Sequence, residues 1–215
     1  MRLTLLAILI ALAAVDARAS NLLTNGSFEL GTFTNQGSDT ETFAAGATTM
    51  TGWTTVGNDV SWIGATNPFL LSAQDGSFFL DLTGYDTGAP FGGVTQSVAT
   101  VVGNQYDLSF YLGSYTAVWG GPPVSILASA GGTSTTFTDS LTHSSSTWTL
   151  EDLKFTATAT ATQITLTGAA GSQYIGLDSV SLVDNGPVPL PAAAWLLLSG
   201  LGGLAALARK KRAAA

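Results

Sequence analysis

Apolar and polar residues alternate with a period of two along much of this chain. Tyr106, Leu108, Phe110 and Leu112 are interleaved with Asp107, Ser109 and Tyr111. Phe78, Leu80 and Leu82 are interleaved with Phe79 and Asp81, and Ile164 and Leu166 stand between polar neighbours in 163–167. Successive side chains of a strand point to opposite faces, so this pattern predicts short strands with one buried face. Turn residues separate the runs at Asn25-Gly26, Gly57-Asn58, Asp75-Gly76, Gly92-Gly93, Gly103-Asn104, Gly131-Gly132 and Gly171-Ser172. Between the two ends no ten-residue stretch has an apolar stripe at helical spacing. Strands at this interval predict an all-β fold, a β-sandwich of the jelly-roll kind.

Two runs change phase. In 148–155 the apolar positions move from even (Trp148, Leu150) to odd (Leu153, Phe155), and in 174–183 from odd (Ile175, Leu177) to even (Val180, Leu182). A slip of one residue within a strand is what a β-bulge produces, so a bulge is expected in each. The threonine-alanine run 156–162 reads as an edge or connecting strand. Trp53, Trp62 and Trp148 fall in strand-like segments and are expected in the core.

The ends read differently. Arg2, the thirteen-residue apolar run Leu3–Val15 and the small-residue pair Ala17 and Ala19 have the layout of a secretory signal peptide over residues 1–19, cleaved after Ala19. Asn185–Pro191 is proline-rich, and prolines lack the backbone donor that helices and central strands need. Residues 192–208 then run for seventeen positions without a charge and are expected to form one transmembrane helix. The basic block Arg209, Lys210, Lys211 and Arg212, within the tail 209–215, belongs on the cytoplasmic side and puts the preceding chain outside. The signal peptide demands the same orientation. Ser199, Gly200, Gly202 and Gly203 would allow close approach to another helix, either a processing enzyme or a second copy.

This tail resembles the PEP-CTERM sorting signal of Gram-negative bacteria through Val188, Pro189, Leu190 and Pro191, the apolar run and the basic block. Leu190 stands where the name-giving glutamate would be. The resemblance implies Sec-dependent export and processing by an exosortase, a membrane-embedded cysteine protease-transpeptidase of organisms that export polysaccharide.

Removing both ends leaves 20–184, 165 residues and one domain's worth of chain. Of the 7 basic and 14 acidic residues in the whole chain, only Lys154 and 13 carboxylates fall here, so 1 − 13 gives a net charge of −12. Such a surface cannot neutralise phosphates, which excludes nucleic-acid binding, and it is repelled by anionic membrane surfaces. The chain has no cysteine, so there is no thiol chemistry, and its single His143 excludes multi-histidine metal sites.

Asn21–Glu29 and Ile175–Leu182, with Gly52-Trp53, Asp75–Gly84, Gly92–Ser97 and Tyr106–Phe110, resemble the galactose-binding-like jelly rolls, the choice-of-anchor C domains in particular. That family is related to a plant cell-wall domain of unknown function. The resemblance implies a β-sandwich that binds extracellular glycan or sits in a polysaccharide matrix, with first and last strands adjacent. It further implies one structural calcium with Glu29 and Asp178 as side-chain ligands; the alternative is that both are solvated strand-end acids. Calcium accepts six to eight oxygens in irregular geometry.

Sugar binding ordinarily uses an aromatic face and a few hydrogen-bonding groups. The loop aromatics Tyr115 and Trp119 are the first candidates and Tyr85 and Phe91 the second; each could instead fold back and cap the sandwich. Asn25-Gly26-Ser27 fits a glycosylation sequon and also a tight turn. Asp75 and Asp81 are the obvious carboxylate pair for a hydrolase, although Asp-Gly reads first as a turn. Three functions follow: a non-catalytic, exopolysaccharide-associated surface or matrix protein; a structural surface protein without glycan binding; and a weak glycoside hydrolase. No catalytic residue is assigned.

Overall fold

The computed structural model of the chain describes residues 20–84, 89–114, 123–139, 147–171 and 174–187. The signal peptide 1–19, the span 192–208, the basic tail, and Tyr85, Tyr115, Trp119 and His143 lie outside the described residues. Among the described residues no helix is long and apolar enough to cross a membrane.

The alternating runs form two antiparallel sheets packed face to face. The larger comprises β1 (Thr40–Phe43), β3 (Val60–Gly64), β4 (Phe78–Asp81), β11 (Gly176–Pro187), β6 (Asn104–Ser114) and β9 (Thr147–Thr156) in that order. The smaller comprises β2 (Thr54–Gly57), β5 (Gly92–Ala99), β10 (Ala161–Ala170), β7 (Val124–Ala130) and β8 (Thr133–Asp139). The even residues Tyr106 to Leu112 of β6 meet Val94, Ile164, Leu166, Ile126 and Ala128 from the facing sheet in one core. Burying such side chains contributes about 1.5–3 kcal/mol each, and that is what holds the sheets together. Trp53 and Trp62 are buried with their indole N–H groups satisfied by the carbonyls of Asn25 (2.8 Å) and Phe28 (3.0 Å).

The bulge expected in the last strand is present. Asp178 pairs with Tyr111 and Ser181 with Ser109, so two residues of β11 face Phe110 alone, and Ser179 takes φ = 50°. The bulge expected in 148–155 is absent: β9 pairs β6 without interruption from Thr147↔Ser114 to Thr156↔Gln105. The phase change there has another cause. Leu153 and Phe155 face the core between the sheets, whereas Trp148 faces outward onto a second apolar cluster of Ile63, Leu71, Phe79 and Tyr174. Gly113 makes room for it, since a Cβ there would lie 2.5 Å from the Trp148 ring. Trp148 Nε1 then donates to the Ser72 carbonyl at 2.9 Å, pinning the 65–77 connection over the sheet's outer face.

Two further expectations change. Residues 157–160 form a turn between β9 and β10, tied by Ala157 N–H to the Asn104 carbonyl, rather than a strand of their own. The last strand also runs into the proline-rich segment as far as Pro187, which pairs with Asn104. β4 accompanies β11 only at Gly176 and Leu177, so its far end has a ladder on one side alone, where proline is tolerated.

Candidate functional site

The segment Asn21–Glu29 has no strand of its own and works as a staple. Asn21 Nδ2 donates to the Val180 carbonyl (3.0 Å), while its Oδ1 accepts from the N–H groups of Leu23 (3.0 Å) and Leu182 (2.9 Å). Gly26 lies against the last strand so closely that a Cβ would stand 1.9 Å from the Val180 carbonyl oxygen. Asn25 Oδ1 accepts from Leu30 N–H, and its Nδ2 donates to the carbonyls of Leu30 and Thr51. Its amide is thus spent on the fold, and Phe28 N–H closes a turn onto its carbonyl at 3.2 Å, which favours the turn over the sequon reading.

Glu29 and Asp178 grip the same connection from two sides. Glu29 Oε1 accepts from Ser77 N–H (2.9 Å) and Phe78 N–H (2.8 Å). Asp178 has no exposed surface; its Oδ2 accepts from Gln74 N–H (2.8 Å) and Asp75 N–H (3.1 Å), and its Oδ1 from Ser179 N–H (2.6 Å). The bulge aims the carboxylate at these donors. Burial pushes Asp178 up to about 7, against the lowering effect of its three amide partners and with some help from the charge of Asp75.

The donor chemistry does not fit the calcium expected at Glu29 and Asp178. Three of their four carboxylate oxygens already accept amide hydrogens. Among the described residues no group of three or more His, Cys, Asp or Glu converges. Six to eight oxygens are what such an ion requires. Glu29, half-buried, and the enclosed Asp178 both anchor the backbone of the 74–78 turn.

An open depression of about 370 Å³ lies beside this staple, lined by Asn21, Asn25, Ser27, Asp75, Ser179 and Ser181 among others. It has no aromatic wall. The amides of Asn21 and Asn25 are committed to backbone, and Ser179 Oγ donates to Gln74 Oε1. The supposed hydrolase pair is not one: Asp75 is exposed in its turn, whereas Asp81 is sealed in and accepts from Thr83 and Ile175 N–H.

The loop candidates are organised by the opposite ends of the strands. Val124 pairs with Asp139, Ser114 with Thr147, Ser125 with Ala170, and Gly176 with both Gly113 and Asp81. The strand ends that bracket 85–88, 115–122, 140–146 and 172–173 therefore emerge together at one end of the sandwich. Ser114 Oγ donates to Asp139 Oδ2 (3.0 Å) beneath them, and Glu151 is pushed up by burial and by the charge of Asp139. Of the four aromatic candidates, Phe91 alone is described, and it is no platform. It is half-buried against the core, and a Cβ on Gly168 would lie 2.8 Å from its Cβ. The glycine leaves a seat that the ring fills.

Residues 21–176 match the family described as "Protein of unknown function (DUF642)". The chain belongs to that family. The DUF642 match begins at the Asn21 staple and ends where β11 starts. Halomucin of Haloquadratum walsbyi is 30% identical over 190 residues, covering 85% of this chain but only 2% of halomucin's own length. Similar solved structures include the enzymatically active domain of tailspike protein 4 of bacteriophage CBA120 (15% identity, TM-score 0.46, 76% of this chain and 21% of that one). TmCBM61, in complex with β-1,4-galactotriose, is 16% identical with TM-score 0.41 over 78% of this chain and 100% of that one. A family 35 carbohydrate-binding module of Clostridium thermocellum is 14% identical with TM-score 0.40, over 66% and 96% of the two chains.

Proposed function

We propose that this DUF642 chain is an exported, non-catalytic surface or matrix protein whose sandwich associates with extracellular polysaccharide. The gathering of the strand ends around 85–88, 115–122, 140–146 and 172–173 carries the reading. Tyr85, Tyr115 and Trp119 fall in sequence between those strand ends, and several aromatics can serve one ligand. A net charge of −12 on residues 20–184 favours a neutral or cationic partner. The signal-like 1–19 and the tail from Val188 to Arg212 support export by the Sec machinery and processing by an exosortase, with the tail a transient membrane anchor.

Affinity electrophoresis against a panel of polysaccharides tests the binding. Retardation that Trp119→Ala abolishes without lowering the melting temperature supports an aromatic platform; the absence of retardation by every polymer refutes glycan association. Mass spectrometry of the native product tests the export route by locating both ends. An intact 215-residue chain in the cytosol would overturn it.

A further inference from the structure

The register of the smaller sheet assembles a feature that no single segment displays. Thr54 pairs with Thr95, Thr95 with Thr165, Thr165 with Ser129, and Ser129 with Ser134. One hydroxyl from every strand thus stands in a single rank across the outer face. Neighbouring strands lie about 4.8 Å apart, so the side chains of the rank repeat at that interval, while hydroxyls that bond one another draw closer. The rotors are fixed in part. Thr95 Oγ1 donates to the Ile164 carbonyl (2.8 Å) and lies 3.0 Å from Thr165 Oγ1, and Ser129 Oγ lies 2.9 Å from Ser134 Oγ.

The next rank along the strands is Val56, Gly93, Thr167, Leu127 and Thr136, low in profile and mostly apolar. Ser97 pairs with Gln163 on the other side of the hydroxyl rank, and Ser125 with Thr138 near the loop end, their oxygens 2.9 Å apart. None of these residues is charged, although the domain carries 13 carboxylates. Asp139, the one acid in the strands of this sheet, is buried and accepts from Ser114, while Asp107 and Asp152 form ion pairs with Lys154 on the larger sheet and Asp178 is enclosed.

We infer that this charge-free hydroxyl face is where the proposed polysaccharide lies, and that the ligand is a neutral, extended chain running across the strands. The inference rests on the glycan reading above and relocates its contact from the loops to the sheet. Hydroxyls both donate and accept, which matches a polymer that also carries both roles along its length. A surface that repeats from strand to strand suits a chain rather than a single sugar, and ordered side chains lower the entropy lost on binding. The lack of any charge, on a protein otherwise strongly acidic, selects against ionic polymers.

The test uses the full chain in a non-ionic, sugar-free detergent, with hydroxyethylcellulose, dextran and the acidic polymer alginate cast into native gels. The variants are Thr165→Glu in the middle of the rank, Thr136→Glu at an exposed edge position, and Trp119→Ala in the loop. The expected result is retardation by a neutral polymer, kept in Trp119→Ala and weakened roughly tenfold or more in either face variant, the effect of ~1.4 kcal/mol. Thr136→Glu decides the matter if Thr165→Glu fails to fold. Retardation lost in Trp119→Ala but kept in Thr136→Glu overturns this inference and leaves the glycan reading standing. Retardation by alginate alone overturns it as well. No retardation by any polymer defeats both readings. A change of sedimentation in Thr136→Glu with no polymer present assigns the face to a second copy of the chain and also overturns the inference.

Discussion

Replacing Asp178 by asparagine isolates one buried charge. In the fold this carboxyl titrates at about 7 because burial disfavours its charge, against an ordinary value of 3.8. Between those values the folded state holds a proton that the unfolded state has released. Unfolding free energy therefore falls as pH rises, by ~1.4 kcal/mol per pH unit and ~4 kcal/mol across the window. The stabilisation is whole below pH 4, lost by pH 7 and flat above. Asparagine keeps a carbonyl oxygen for the Gln74 and Asp75 amides but turns an NH2 toward the Ser179 N–H. That mismatch costs about 1–3 kcal/mol at every pH. Urea unfolding followed by the fluorescence of the buried Trp53 and Trp62 gives both curves from pH 4 to 8. The wild type should lead by about 1–3 kcal/mol at pH 4 and trail the asparagine variant by about 1–3 kcal/mol at pH 8. A gap that stays constant with pH would refute a titrating Asp178, since the other carboxylates are common to both proteins.

Chelator should leave the melting temperature unchanged, because amide hydrogens already occupy the oxygens calcium would need; a fall of several degrees in EDTA, reversed by added calcium, would restore the metal. Glu29→Ala should cost about 1–2 kcal/mol by removing the acceptor of the part-buried Phe78 amide, the exposed Ser77 amide turning to water, with Glu29→Gln losing less, read by denaturant midpoint. Gly26→Ala should prevent folding or lower the melting temperature drastically, since its methyl would overlap the Val180 carbonyl; a stable variant would disprove that contact. Trp148→Ala should expose 65–77 to protease at a small cost in global stability, and equal cleavage rates in both proteins would refute its role as a pin.

The strands were legible wherever one face met the core and the other met water, as in Tyr106–Leu112. The bulge in β11 was legible for the same reason, because Leu177 and Val180 must both reach the one core. Trp148 misled because the larger sheet buries part of its outer face as well, under a connection whose Phe69 and Leu71 have no periodic signal, and Leu150 misled because it is an apolar residue left exposed. Glu29 and Asp178 were found as a pair, but sequence cannot tell whether a carboxylate will meet a cation or a backbone amide. The exposed Asp75-Gly76 turn was the available hint, since a turn leaves amides unpaired. The hydroxyl rank lay beyond reading, because it depends on four cross-strand registers between segments as much as 111 residues apart (Thr54 and Thr165).

Among the described strands, the one that joins the larger sheet comes last in chain order. β11 sits between β4 and β6 and takes the Asn21 staple alongside it. Until Gly176–Pro187 has left the ribosome, that sheet can exist only as two halves, β1-β3-β4 and β6-β9, with the N-terminal segment unmoored, although the smaller sheet already has all its strands. A product cut short before residue 176 therefore carries β4 and β6 with unpaired edges, a target for proteolysis and aggregation.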